Sequence, residues 1–230
     1  MTDFFSLLIE PYRTYETWMI VLEIIAVILG ILSVFFSLNR NIWVYPVGII
    51  STGIYVYLLF VFGLLGDCLI NVYYTAMSIY GWTLWSKNSP DKIHVNVSWA
   101  NSKEWFFGSL LFLGSLILVI LVYYFKPWLD NDFVLNSADL GLDHLDWANW
   151  LDVFTTSIFL IGMWLMAKQK IENWLFWILG DLVCIPMFIY KGLVITSIQF
   201  FVFTVLAVIA YFEWKKNYLE TQSKSIQIGD

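Results

Sequence analysis

Residues 172–181 read ENWLFWILGD. Most of the stretch suits a lipid-facing helix, yet Trp174, Trp177 and Asp181 recur at i, i+3 and i+7. At about 100° per residue, that spacing gathers them into a stripe roughly 60° wide, which Phe188 extends. An ionised carboxylate in hydrocarbon is costly, and such residues nearly always face a wet cavity or a partner. No Lys or Arg lies deep in any apolar stretch to pair with Asp181. It is therefore protonated, or faces water, or receives a cationic ligand, or makes a structural hydrogen bond to a hydroxyl such as Thr155 or Thr156.

The rest of the chain makes the membrane reading general. Of 230 residues, 60% are hydrophobic, 20% aromatic and only 13% charged, too few polar side chains to cover a soluble domain. Seven stretches reach the roughly 20 apolar residues a transmembrane helix needs, about 18–38, 41–62, 65–86, 105–126, 148–168, 173–191 and 193–214. Short turns such as LNRN at 38–41 make antiparallel neighbours. Residues 87–104 read as a polar loop, and residues 127–146 carry five aspartates and no Lys or Arg. With the N-terminus outside, Arg40, Lys87, Lys92, Lys103, Lys168, Lys170, Lys215, Lys216 and Lys224 fall inside, against Arg13, Lys126 and Lys191 outside. That bias predicts an external N-terminus, a cytoplasmic C-terminus and an external acidic loop.

The expected organisation is all-α. Residues 1–17 form a surface segment that reads as a short amphipathic helix, with charges of the wrong sign for a secretory signal. A first three-helix repeat follows at 18–86, a cytoplasmic loop at 87–104, a linking helix at 105–126 and the acidic external loop at 127–147. A second repeat spans 148–214 and a cytoplasmic tail 215–230.

The repeat rests on YGWTLW at 80–85 against IAYFEW at 209–214, on Gly63 and Gly192 in matching turns, and on Trp43 and Trp174 opening the second and sixth spans. One odd linking span makes the halves parallel, related by an axis along the membrane normal. SWEET-type transporters share that plan, with substrate held between the halves.

The third span has its own polar face, Asp67, Asn71, Tyr74, Ser78 and Trp82, within roughly 80°. Gln199 of the seventh span falls near the depth of Asn71, with Phe203 one turn further in. Trp18, Trp85, Trp105, Trp128, Trp147, Trp150 and Trp214 suit the interfacial aromatic belt, whereas Trp177 is too deep for it. An aromatic face beside a carboxylate suits a flat cation. Glu23, Asp152, Glu172 and Glu213 are weaker leads. Pro46 and Pro186 are candidate pivots, since a missing donor permits a kink. Cys68 and Cys184 read as small core residues.

Several function classes lack their residues. There is no HExxH, GxSxG or GxxxxGK[ST], and neither His94 nor His144 lies in a span, so an enzyme has no candidate base or ligand set. No basic patch supports nucleic-acid binding at a net charge of −6. Nothing implies a metal or cofactor. A transporter fits best, with a ligand-binding membrane receptor without flux as the rival.

The pattern W-x2-W-x3-D formed by Trp174, Trp177 and Asp181, with GDCLINVYYTAMSIYGWTLW at 66–85, resembles the PnuC-type vitamin transporters over about residues 20–215. The resemblance implies a SWEET-like 3+1+3 fold, usually a homotrimer, in the bacterial inner membrane. It implies facilitated diffusion of nicotinamide riboside, made one-way by a cytoplasmic riboside kinase, with thiamine or riboflavin in relatives. It places Trp174, Trp177, Asp181 and Asn71 at the substrate. Tyr74, Ser78 and Gln199 join them from the polar faces. Ser78 and the acid at 181 stand where some members carry Asn, which bears on substrate choice.

Overall fold

The computed structural model describes residues 16–61, 65–89, 91, 93–130, 140–190 and 194–229. Seven helices fill it: α1 (Thr17–Leu38), α2 (Val44–Val61), α3 (Leu65–Asn88), α4 (Ser102–Asp130), α5 (Trp147–Ala167), α6 (Asn173–Tyr190) and α7 (Val194–Gly229). Six are long and apolar enough to cross a membrane. The seventh is α3, which carries the polar face around Tyr74 and Ser78. The N-terminal surface segment before residue 16, the glycine turns at 63 and 192, and residues 131–139 of the acidic loop lie outside the described residues.

Six helices close a ring. Within each half, α2 packs between α1 and α3, and α6 between α5 and α7. Across the halves, α3 meets α5 and α1 meets α7, while α4 lies outside against α5. Local sequence sets the helix starts. Asp146 accepts the Asn149 N–H at 2.8 Å and Asn149 Oδ1 accepts the Asp146 N–H at 3.0 Å, a reciprocal cap on α5. Asn101 and Glu104 make the same exchange at the start of α4.

The two halves match at one constant sequence offset. Arg40 and Gln169 hold corresponding turns in the left-handed region, φ 56° and 62°. Tyr45 meets Trp85 edge to face at 5.0 Å, and their counterparts Trp174 and Trp214 do so at 5.4 Å. Trp85 Nε1 donates to Met166 O at 3.2 Å; Trp214 Nε1 donates to Ser37 O, the equivalent atom, at 3.0 Å. The Cys68 thiol donates to Val56 O, and its counterpart Ser197 donates to Ile185 O. This alignment corrects one expectation: Trp174 corresponds to Tyr45. Trp43, two residues earlier and just before α2, is 55% exposed.

Trp85 and Trp214 are not belt residues. Both are fully buried, their rings 6.0 Å apart where the halves meet. Trp18, Trp105, Trp147 and Trp150 are exposed, as belt residues should be. Pro46 is no pivot either, because it lies in the first turn of α2, where backbone N–H groups lack helical partners anyway. Pro186 does sit inside α6.

Residues 87–104 are more than a polar loop. Residues 93–98 form a strap across one end of the ring. The Ile42 N–H donates to Ile93 O at 2.8 Å and the Val95 N–H to Arg40 O at 3.2 Å. In the second half, the equivalent Ile171 N–H donates to Ser98 O at 3.0 Å, and the Ser98 N–H to Gln169 O at 3.1 Å. Within the strap, Val95 and Val97 are buried in the cluster with Trp85 and Trp214. Glu172 accepts the Ala100 N–H with both oxygens, at 2.9 and 3.1 Å, and Lys170 pairs with Glu104 at 3.0 Å. The alternation Val95, Val97, Trp99 explains why the chain lies flat with one edge toward the core, while Ile93 is exposed. The expected tail at 215–230 likewise continues α7 as helix to Gly229, and Tyr218 packs on Trp99 of the strap segment.

A candidate substrate cavity

The ring encloses a cavity of about 430 Å³. That volume lies in the range of small-molecule sites. Trp174, Trp177, Asp181, Tyr74 and Ser78 all line it. Asn71 and Gln199 do not. On α3 the facing residues are Ile70, Tyr74 and Ser78, one helical turn apart, and on α7 they are Phe200, Phe203 and Ala207.

Asp181 is 3% exposed, and among the described residues its carboxylate has no hydrogen-bond or ion-pair partner. Thr155 and Thr156 line the cavity too, but the Thr155 hydroxyl donates to the carbonyls of Leu151 and Asp152, not to the acid. No Lys, Arg or His lines the space. Trp174 is equally buried, and its indole N–H also lacks an acceptor. Ser78 is 4% exposed, held close to Gly48. Several buried polar groups therefore converge on one hollow with hydrogen-bonding capacity unused. Burial without a partner is costly for such groups, so this pattern marks a place where a ligand or water completes the set.

Four near-parallel rings form the other wall. Trp177 stacks on Phe159 at 5.3 Å, Phe159 on Phe200 at 6.3 Å and Phe200 on Phe188 at 5.1 Å, with interplanar angles of 25°, 10° and 15°. Two glycines make the stack fit. A Cβ at Gly180 would sit 2.3 Å from Phe159, and one at Gly162 would sit 3.3 Å from Trp177. Phe159 and Phe200 escaped sequence reading because each lies among other large apolar residues. The signal available was Gly180 directly before Asp181, a missing side chain beside the site.

The first repeat supplies a different wall. At positions equivalent to Phe159, Trp177 and Asp181 it carries Gly30, Gly48 and Thr52, all of which line the cavity. Ser33, Ser37 and Ser51 add hydroxyls that donate to Val44 O, Met166 Sδ and Ala26 O. Their lone pairs remain available as acceptors. The hollow is thus aromatic and acidic on one side, small and hydroxylated on the other.

At the strap end, Tyr45, Trp174 and Met166 form the cavity floor over the buried Trp85–Trp214 pair. Tyr45 lies flat on α3, its ring 2.4 Å from where a Gly81 Cβ would be. Asp152 and Phe188 line the opposite end and are only partly buried.

A ring of apolar helices, closed at one end by the strap and holding unpartnered polar groups in its hollow, is the architecture of a multi-pass membrane protein with room for a small molecule. The sequence pattern of the family described as "Nicotinamide mononucleotide transporter" matches residues 20–216, and the chain belongs to that family. Among curated proteins, it is 22% identical over 215 residues to the "Nicotinamide riboside transporter PnuC" of Escherichia coli, covering 89% of each chain. It is 21% identical over 210 residues to the "Riboflavin/roseoflavin transporter RibM" of Streptomyces davaonensis, again covering 89% of each. Its fold is similar to the "Crystal structure of the Vitamin B3 transporter PnuC", with a TM-score of 0.62 and 20% identity over 93% of this chain and 87% of that one.

Proposed function

We propose that this chain carries nicotinamide riboside across the bacterial inner membrane by facilitated diffusion. The observation that carries the reading is the unpartnered, buried Asp181 beside stacked rings in a cavity without a basic residue. Nicotinamide riboside is a flat pyridinium cation with a ribose. Its ring suits Trp177 and Trp174, its charge suits Asp181, and its hydroxyls suit Ser78, Tyr74 and the serine wall of the first repeat. Asn71 and Gln199 do not line the cavity and are assigned no direct substrate contact.

The lysine and arginine bias supports a cytoplasmic strap end and an external N-terminus. In that orientation the cavity is closed toward the cytoplasm by Trp85, Trp214 and the strap. Opening inward requires the two halves to part there, breaking both crossed indole bonds. No ion gradient is invoked; a cytoplasmic riboside kinase would trap the product, and a homotrimer is the proposed assembly.

Riboflavin is the second reading, favoured by the similarity to RibM at nearly the same identity. Thiamine, another flat cation, suits the same acid. The test is binding of purified protein to nicotinamide riboside, thiamine and riboflavin side by side, followed by uptake into proteoliposomes without an ion gradient. Preferential riboside binding with flux is expected. Riboflavin preference would reassign the substrate, and binding without flux would make the chain a receptor.

A further inference from the structure

The cavity holds a second acid. Asp152 lines it from α5 and accepts a hydrogen bond from the Tyr123 hydroxyl of α4, the helix outside the ring. That bond occupies Oδ2, and no described residue donates to Oδ1. By the helical rise, Asp181 lies about 12 Å from the strap end of α6, and Asp152 about 22 Å from the strap end of α5. The two acids are therefore separated by about 10 Å along the bundle axis, with Asp152 nearer the open end. Tyr74 of α3 lines the same hollow.

A tether between α4 and α5 would need only a neutral acceptor, and an acid in a membrane span is costly unless its charge is used. Among the described residues the remaining lining is apolar or hydroxylated, and the two carboxylates are the charged groups along the hollow. Exposed Asp143 and Asp146 add negative charge at the same end of the bundle. A cation approaching from there meets a progression of acids ending at the unpartnered Asp181.

We propose that Asp152, positioned by Tyr123, is an outer subsite that captures an organic monocation before it reaches Asp181. The inference rests on reading the cavity as a cation carrier. An acid met on the way in acts on the association rate, because it raises the local concentration of the cation; an acid at the resting site acts on the dissociation rate.

The test is stopped-flow binding of nicotinamide riboside and of its neutral, reduced dihydro form to wild-type protein and to Asp152→Asn, Asp152→Glu, Tyr123→Phe and Asp181→Asn. Asp152→Asn should slow association of the cation about tenfold, within the range of electrostatic steering, and change its dissociation less than about twofold. The neutral form should be unaffected, Asp152→Glu should restore most of the rate, and Tyr123→Phe should fall between. Asp181→Asn should instead speed dissociation of the cation. Equal slowing of cation and neutral form by Asp152→Asn, or no slowing of either, overturns the outer subsite while leaving the cation site at Asp181 standing. Failure of the wild-type protein to prefer the cation overturns both.

Discussion

Replacing Asp181 by Asn isolates the charge from the shape of the site. The two side chains are nearly isosteric, so the Phe159–Trp177 stack over Gly180 should be preserved. A cation lying against Trp177 and within about 4 Å of the carboxylate gains about 4 kcal/mol at an effective dielectric of about 20. Desolvation of both charges offsets part of that, leaving about 1.5–3 kcal/mol, the range of a charge-assisted hydrogen bond. Asp181→Asn should therefore weaken nicotinamide riboside binding about 10- to 150-fold, and its neutral dihydro form by less than about threefold. Titration by intrinsic fluorescence is suitable, because Trp174 and Trp177 report on the cavity directly. The ligand-free variant should melt no lower than the wild type, since an uncompensated buried carboxylate has been removed. Equal losses for cation and neutral form would refute the charge argument, and so would no loss at all.

The other predictions test the floor and the walls. Trp85→Phe and Trp214→Phe each remove an indole donor whose acceptor keeps a second one, since the Gln169 N–H also reaches Met166 O and the Arg40 N–H reaches Ser37 O. The bond lost is thus worth about 0.5–1.5 kcal/mol, and each variant should shift the bundle toward opening at the strap end by about 2- to 10-fold, read as faster thiol labelling of Ser78→Cys from that side. Similar effects from the two variants are expected from their equivalent positions, and protection unchanged in both would exclude the pair as a gate. Gly180→Ala puts a methyl 2.3 Å from Phe159, so it should cost about 1–3 kcal/mol of stability and lower uptake by displacing the ring into the cavity. Gly30→Leu projects into the hollow from the opposite wall, where a Cβ meets only Ser51 Oγ at 3.4 Å. It should abolish binding of all three vitamins while the melting temperature falls little, checked by paired binding and thermal-shift measurements.

Helix number and most boundaries were legible because each span is a long apolar run between short turns. The pattern Trp174, Trp177, Asp181 was legible because polar and aromatic groups at helical spacing stand out against hydrocarbon, and all three line the cavity. What the one-dimensional pattern concealed were contacts between elements. Trp85 and Trp214 end their spans where interfacial tryptophans belong, and only the packing of the halves shows that their indoles cross to the opposite repeat. The strap looked like a loop because Asn96 and Ser98 alternate with Val95 and Val97, a strand-like period set between two lysine-bearing polar stretches. Asn71 and Ile70 differ by one position in a stripe, and 100° of rotation is enough to turn one toward the cavity and the other aside.

Duplication explains the seal better than it explains the site. The floor is made from equivalent parts: two aromatic rings set edge to face on two tryptophans, two indole bonds to equivalent carbonyls, and one strap bonded to both turns. On the proposed parting of the halves, such a joint would load both equally. A ligand such as a nucleoside has no twofold symmetry, and the binding level departs from it accordingly. Phe159, Trp177 and Asp181 project from one half into space that Gly30, Gly48 and Thr52 leave open in the other. Had the first repeat kept large rings at those positions, the two walls would meet and no cavity of about 430 Å³ would remain. On the proposed reading, the small residues of the first repeat are as much a part of recognition as the tryptophans facing them, because they make the room in which ring and charge would be held together.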